Sequence, residues 1–226
     1  MNRFIVVTGV LITMALLGCQ EAKEDVARPL SEKDFYKTIG EEIPFETGMA
    51  WIELYRKKRT EQGRSEATPP YAVSADQLKA VLTSAEELVG VAFHYGIDEN
   101  GQTHILVIPV DETLTLWPSS PGRIVVDANT GSALTREVAS AWASNYKNAY
   151  PDETWFHFFG KEVFDQMCAL PYFSSMELEP AISALDLTPQ LLLIVLNDDS
   201  SSLGRSAEEV GVVYDASNAC PPCAVR

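Results

Sequence analysis

The sequence predicts an α+β protein, organised as a tandem pair of related helix-helix-strand-strand-strand units with antiparallel sheets. Three observations support this prediction. Patterns of helical and strand periodicity follow one another in an order that occurs twice along the 226 residues. Several aromatic, apolar and acidic residues recur at nearly constant offsets. The clearest pair of strand patterns flanks an Asn-Gly turn, which is typical of an antiparallel hairpin.

The first predicted unit covers residues 44–131. A helix begins at Pro44, because proline suits a first turn and apolar residues then recur at helical spacing. A second helix begins at Ser74, where Gln77 stands at the capping-box position. Two strands surround Asn100-Gly101, and a third is predicted over Arg123–Asp127.

The second predicted unit covers residues 132–226 and repeats this order. One helix runs from about Arg136 to Asn148, and the stretch FFGKEVFDQMCAL predicts the next. The segments FSSMELEPAI, PQLLLIVLN and GVVYD predict three strands.

The two units align along the sequence, which predicts an old duplication of about 90 residues. Two unrelated α+β halves remain the alternative, because identity between the units is low. The recurring pairs are Trp51 and Trp142 at 91 positions, Tyr55 and Tyr146 at 91, His104 and Gln190 at 86, and Asp127 and Asp215 at 88.

Residues 1–18 have the features of a secretory signal peptide. Arg3 precedes an apolar run from Phe4 to Leu17 that is short for a membrane span. The segment Leu16-Leu17-Gly18-Cys19 resembles the lipobox of bacterial lipoproteins. That resemblance implies that Cys19 becomes the N-terminus and carries acyl chains, which together would form a stable membrane anchor. An ordinary signal peptide with a chance cysteine is the alternative.

The resemblance to lipoproteins also implies a location. Gln20 follows the lipidated cysteine, and the family's pattern at that position favours the outer membrane. Residues 19–43 are predicted to form a charged tether and a short helix capped by Ser31 with Asp34. Removal of residues 1–18 leaves 16 basic against 32 acidic residues, a net charge of −16. Such a charge disfavours nucleic acid as a partner.

The tail contains a Cys-x-x-Cys motif at Cys220 and Cys223. A redox pair needs a following helix, and a zinc site needs two more ligands, so neither is favoured. In an oxidising compartment a structural Cys220–Cys223 disulfide is the leading interpretation. A bridge from Cys168 to one of them remains open, although Cys168 aligns with Leu82 and is expected to be buried.

No catalytic, metal or cofactor motif stands out in the sequence. There is no nucleophile elbow, phosphate loop or zinc-protease motif. If Asn100-Gly101 forms a two-residue turn, His94 and His104 lie on opposite faces of the hairpin, too far apart to share a metal. His157 lies in an aromatic stretch and is expected to be partly buried.

The sequence therefore favours a non-enzymatic binding or scaffolding module, anchored in the outer membrane and facing an unknown protein, peptide or glycan. Trp117, in the loop TLWPSSPG, is the best candidate for an exposed ligand-binding side chain. The alternative function is an envelope or extracellular hydrolase that acts on glycan or peptide.

The second half also resembles a group of uncharacterised lipoproteins from Gram-negative bacteria. The matching stretches are His157–Lys161, Gln190–Asn197 and the Cys/Pro-rich tail Cys220–Cys223. The resemblance covers about half of the chain and implies no activity.

Overall fold

Five helices and two antiparallel sheets make up the part of the chain that the structure, a computed structural model, describes: residues 31–63, 71–117, 122–196, 212–215 and 218–220. This architecture confirms the α+β class. The helices are α1 Glu32–Lys37, α2 Phe45–Glu61, α3 Ala75–Thr83, α4 Arg136–Ala149 and α5 Lys161–Ala169. The strands are β1 Glu41–Ile43, β2 Tyr71–Ser74, β3 Leu88–Ile97, β4 Thr103–Asp111, β5 Val125–Asp127, β6 Ala133–Leu134, β7 Phe156–Gly160, β8 Ser175–Ile182, β9 Pro189–Leu196, β10 Val213–Asp215 and β11 Asn218–Cys220.

The two sheets exchange strands between the halves of the chain. Sheet A has the order β1-β10-β9-β8-β2, and sheet B has the order β11-β7-β3-β4-β5-β6. The three central strands of sheet A come from the second half, but β1 and β2 come from the first. Sheet B is built from β3, β4 and β5 of the first half together with β6, β7 and β11 of the second. The predicted boundary between the units at residue 131 therefore does not separate the sheets, because each sheet contains strands from both sides of it.

Corresponding elements of the two halves keep nearly constant spacing. Helix α4 begins 91 positions after α2, and α5 begins 86 positions after α3. Helices α3 and α5 also have the same length, nine residues. The residues that precede α3 and α5, Ser74 and Gly160, share φ −70° and ψ 158°. Strand β9 begins 86 positions after β4. These equivalences agree with the predicted repeat, and common descent of the halves stays a prediction.

The sequence missed the exchanged strands. The sequence predicts the order helix, helix, strand, strand, strand in each unit. In the structure a short strand also precedes each of the two helices of each unit. The exchanged strands β1, β2, β6 and β7 have only two to five residues, too few for an alternating pattern to be recognised. The segment that precedes Lys161 was assigned to a helix, whereas it forms β7.

A shared core joins the two sheets. It contains side chains from both sheets and from α3 and α5, among them Phe93, Leu178, Leu193 and Phe164. The outer face of sheet A is covered by α2 through Trp51 and Ile52. The outer face of sheet B is covered by α1 and α4. Each sheet thus buries both faces, which explains why β3, β4 and β9 are nearly continuous apolar runs.

The β3–β4 hairpin turns through a three-residue loop. Asp98 N–H donates to the carbonyl of Gln102 at 3.0 Å, and Gly101 N–H donates to the carbonyl of Asp98 at 3.1 Å. Gly101 adopts φ +81°. The Asp98 carboxylate also accepts from the backbone N–H of Asn100 and Gln102. These bonds favour a type I turn followed by a left-handed glycine over the shorter two-residue turn.

The longer loop shifts the register by one residue. His104 pairs with Gly96 and His94 pairs with Leu106. Because His94 and Gly96 are two positions apart, both histidines project to the same face, the outer face of sheet B. The expectation that they lie on opposite faces is wrong.

Gly160 gives a test of the packing between α1 and α5. A Cβ at Gly160 would collide with the backbone carbonyl of Lys37. Gly160→Ser would add a capping hydroxyl like that of Ser74, yet we expect it to lower the free energy of unfolding by about 1–3 kcal/mol. Urea unfolding measures this, with Ser74→Gly as the matched exchange at the equivalent cap and an expected loss of a few tenths of a kcal/mol. A Gly160→Ser protein more stable than wild type would show that the close approach does not constrain the fold.

Candidate ligand-binding cavity

One cavity of about 490 Å³ opens where the two halves of the chain meet. We call it the junction cavity. Its wall includes the C-terminal half of α2, the turn that follows α4, and the strand ends at Thr103 and Pro189. These two residues begin β4 and β9, each directly after a hairpin loop. The volume lies in the range of cavities that bind small organic ligands.

Residues at equivalent positions of the two halves line this cavity together. Tyr55 and Tyr146 are 91 positions apart, and Thr103 and Pro189 are 86 apart. The exchanged strands contribute in the same way, because Tyr71 of β2 and His157 of β7 are also 86 positions apart. The cavity wall is therefore complete only when both halves are in place.

Tyrosines form much of the wall. Five of the eight tyrosines of the chain line the junction cavity. Tyr95 stacks on Tyr146 with ring centroids 5.2 Å apart, and Tyr146 lies 5.0 Å from Tyr150. Because a tyrosine ring combines an apolar face with a polar tip, this wall suits a ligand with a flat or apolar body and polar groups at its edge. The five are Tyr55, Tyr71, Tyr95, Tyr146 and Tyr150.

His157 is the fully buried polar group of the wall, where Glu179 is 7% exposed. Strand alternation places Phe156 and Phe158 in the outer core of sheet B, so His157 points to the opposite, inner side. Its side chain is 0% exposed, and neither ring nitrogen has a hydrogen-bond partner among the described residues. Burial lowers the pKa of His157 to about 3, so the ring is neutral at physiological pH. An unpaired buried polar group costs about 1–3 kcal/mol, which a ligand that bonds to it would recover.

The charges around the cavity come from three elements. Arg56, Lys58 and Arg59 line it from α2, Asp152 and Glu153 line it from the turn after α4, and Glu179 lines it from β8 of sheet A. The cations and Glu179 therefore lie on the side of sheet A, whereas Asp152 and Glu153 lie on the side of sheet B, which α4 covers.

Several of these charges are engaged with neighbouring groups, and Arg59 lies over the ring of Tyr55, 6.0 Å from its centroid. Arg56 Nη2 lies 3.1 Å from Glu179 Oε2, and burial raises the pKa of Glu179 although Arg56 opposes this. The Tyr146 hydroxyl donates to Glu153 Oε2 at 3.2 Å. Burial and the Glu153 charge raise the pKa of Tyr146, so this hydroxyl stays protonated.

A second polar cluster lies outside the cavity and joins β4, β5 and α4. His104 Nδ1 lies 3.1 Å from each carboxylate oxygen of Asp127, and His104 Nε2 lies 3.6 Å from Asp98 Oδ2. The Trp142 ring covers the imidazole with centroids 4.5 Å apart. Asp127 also accepts from the hydroxyl of Thr130 at 2.7 Å. We interpret this buried cluster as structural, because it connects α4 to β4 and β5, two strands of the sheet that α4 covers.

The sequence-based candidates lie away from the junction cavity. Trp117 is half-buried against the outer core of sheet B, 6.1 Å from the ring of His94, and borders a depression of about 40 Å³. Its role in ligand binding stays a prediction. Cys19 and Cys223 lie outside the described residues. Cys220 ends β11 opposite Phe156, and its disulfide stays a prediction. No helix in the described part of the chain is long and apolar enough to cross a bilayer.

Cys168 is exposed, so the expectation that it is buried is wrong. The buried side of α5 contains Val163, Phe164 and Met167. One residue beyond Met167 the helix has turned by about 100°, and Cys168 faces away from the core.

No protein-family model, curated protein or solved structure matches this chain. The junction cavity is therefore interpreted from its own residues. Sequence reasoning had placed none of its lining residues in a site, although the pair Tyr55 and Tyr146 was visible as part of the repeat.

The buried state of His157 predicts a specific pH dependence of stability. The unfolded chain binds a proton at this histidine below about pH 6.5, but the folded chain does so only near pH 3. Between these values unfolding takes up a proton, so stability falls as the pH is lowered, by about 1.4 kcal/mol per pH unit. His157→Phe should flatten the plot of unfolding free energy against pH over this window, measured by urea unfolding.

His94→Phe is the control for this measurement. Burial lowers the pKa of His94 to about 4, so this variant should flatten the plot between pH 6.5 and 4 while leaving the cavity intact. Asp215 acts in the opposite direction, because burial raises its pKa to about 6, but all three proteins share it. If His157→Phe and wild type gave parallel curves from pH 6.5 to 4, His157 would be accessible to protons in the folded chain.

Proposed function

We propose that this chain is an exported, lipid-anchored binding protein of the outer membrane whose ligand occupies the junction cavity. The lipobox-like segment that ends at Cys19 supports export and anchoring. The aromatic, partly charged cavity supports binding of a small organic ligand. Residues 19–43, predicted to form the tether and a short helix, would connect the first unit to the lipid.

One observation carries the binding proposal. His157 is fully buried on the cavity wall and its ring nitrogens have no hydrogen-bond partner among the described residues. A structural histidine in a core is usually paired, as His104 is with Asp127. Both ring nitrogens are closed to solvent, so a ligand bonds to this imidazole only when the wall side chains that cover it move aside.

The same geometry favours binding over hydrolysis. A histidine base is normally oriented by a carboxylate and contacts the nucleophile that it activates. His157 has neither contact among the described residues, and its low pKa makes it a weak base. The nearby carboxylates Glu153 and Glu179 are engaged with Tyr146 and Arg56. Turnover of a ligand by the purified protein would nonetheless favour the hydrolase alternative.

The anchor is tested by Cys19→Ser. We expect this variant to remain unprocessed and to leave the outer-membrane fraction, because the site of acylation is lost. Cell fractionation and the mass of the N-terminal peptide measure the change. Cys168→Ser is the matched control, since this exposed cysteine lies far along the chain from the signal. A Cys19→Ser protein that is fully processed and still membrane-bound would contradict the anchor.

The cavity is tested by filling it. Thr103→Trp should occupy the space at the start of β4, whereas Thr83→Trp adds the same side chain to the exposed end of α3. Thermal denaturation is measured with dipeptides, N-acetylglucosamine oligosaccharides, nucleotides and fatty acids. We expect at least one class to raise the Tm of wild type and of Thr83→Trp, but not that of Thr103→Trp. The proposal fails if no class does so, or if Thr103→Trp responds like wild type.

A further inference from the structure

We propose that the ligand of the junction cavity is a short zwitterionic peptide with an aromatic side chain, bound through its free carboxylate, its free ammonium and its peptide group. This inference rests on the proposed function, because it assigns a ligand class to the same cavity. Three features of the wall carry it: the division of charge, the tyrosine surface and the buried imidazole.

The division of charge points to a ligand with both signs. The chain has a net charge of −15, so its general surface repels anions. Yet Arg56, Lys58 and Arg59 line the cavity from one side. Cations in the last turn of a helix are favoured by the helix dipole, which accounts for the place of Lys58 and Arg59 in α2 but not for a cavity that includes them.

The carboxylate of Glu179 lies on the side of the cations and is paired with Arg56, whereas the two remaining carboxylates come from the other side. Asp152 and Glu153 belong to the turn after α4, which covers sheet B, while the cations belong to α2, which covers sheet A. A field that runs across a cavity from a cationic to an anionic wall favours a dipolar ligand over a simple anion or cation. A peptide with free termini is such a ligand, because its carboxylate and ammonium are separated along one short backbone.

The tyrosine surface accounts for the body of the ligand. Tyr95 stacks on Tyr146, and the ring of Tyr150 lies tilted against Tyr146. Leu178 and Ile182 add apolar area to the wall. Aromatic side chains gain most from such a surface, because offset and edge-on ring contacts add to the burial of apolar area. About 490 Å³ accommodates a molecule of dipeptide size.

The buried imidazole favours a peptide group over a second charge. His157 is neutral, so one ring nitrogen donates and the other accepts. A peptide group offers a carbonyl acceptor and an N–H donor, and either tautomer of His157 finds a partner on it. Fatty acids and nucleotides match only some of the three features of the wall. A neutral oligosaccharide has no charged groups for the cations and carboxylates to bind.

Calorimetry with chemically blocked ligands tests the ligand class. The probes are phenylalanyl-phenylalanine with both termini free, its N-acetyl form and its C-terminal amide, titrated into the mature protein. We expect the free dipeptide to bind and each blocked form to bind at least about tenfold more weakly, because each block removes one charge. Blocked forms that bind as tightly as the free dipeptide would overturn the inference.

Charge variants then assign each terminus to a wall. Lys58→Gln should weaken the free dipeptide about fivefold without further weakening the amide, which lacks the carboxylate. Asp152→Asn should weaken the free dipeptide similarly without further weakening the N-acetyl form. Lys57→Gln and Glu162→Gln are the matched controls, because these exposed residues do not line the cavity. Equal losses for the blocked and free dipeptides in Lys58→Gln and Asp152→Asn would contradict the assignment.

The outcomes separate this inference from the proposed function. If an oligosaccharide, nucleotide or fatty acid binds wild type and fails to bind Thr103→Trp while the dipeptide does not bind, the peptide inference is wrong and the cavity still functions in binding. If the dipeptide binds Thr103→Trp as it binds wild type, its binding lies elsewhere and the inference is overturned. If no class of ligand binds, both proposals fail.

Discussion

The exchange of strands between the two halves is the constraint on which the rest of the structure depends. Strand β2 pairs with β8, and β7 pairs with β3, so each half completes the sheet of the other. A strand of four or five residues gains little stability alone, because its backbone groups need partners on a neighbouring strand. The helices follow the same rule, since α2 of the first half covers a sheet whose central strands come from the second.

The same exchange creates the junction cavity and makes its lining asymmetric. Residues at equivalent positions of the two halves line it together, but their side chains differ in chemistry. Tyr71 is equivalent to His157, and Arg59 is equivalent to Tyr150. One side of the wall contains three cations and Glu179, whereas the other contains Asp152, Glu153 and the buried imidazole. Different side chains at positions of equal spacing in the two halves thus give the cavity an unsymmetrical lining.

Long periodic segments allowed much of the fold to be predicted from the sequence. The apolar spacing of α2, α3 and α4, the residues Pro44 and Ser74 at the starts of α2 and α3, and the segments that form β8 and β9 each indicated the element that the structure contains. The Ser74 capping box with Gln77 is present as expected. Short exchanged strands were missed, because their partners lie in the other half and no local pattern marks them. The register of the first hairpin was also missed, because the Asp98 carboxylate selects a longer loop than the Asn-Gly pair alone suggests.

The candidate site was far less predictable, because it is a property of the exchange. Tyr95 and Tyr146 are 51 positions apart and become stacked only once α4 covers sheet B. The sequence shows that His157 lies among aromatic residues. That its side chain points to the inner side of sheet B follows only from the strand conformation of β7. Conversely, Trp117 looked exposed in its loop, and packing against the outer core of sheet B was not visible in the sequence.

Native-state hydrogen exchange at increasing urea concentration tests most directly whether the two halves form one interlocked unit. The account predicts that slowly exchanging amides of β4 and β9 share one free energy of opening and one urea slope, because neither sheet persists without the other half. Two separate classes, with β4 and β9 opening at different free energies and with smaller slopes, would show that the halves unfold independently. That result would contradict both the interlocked fold and a cavity wall that needs both halves.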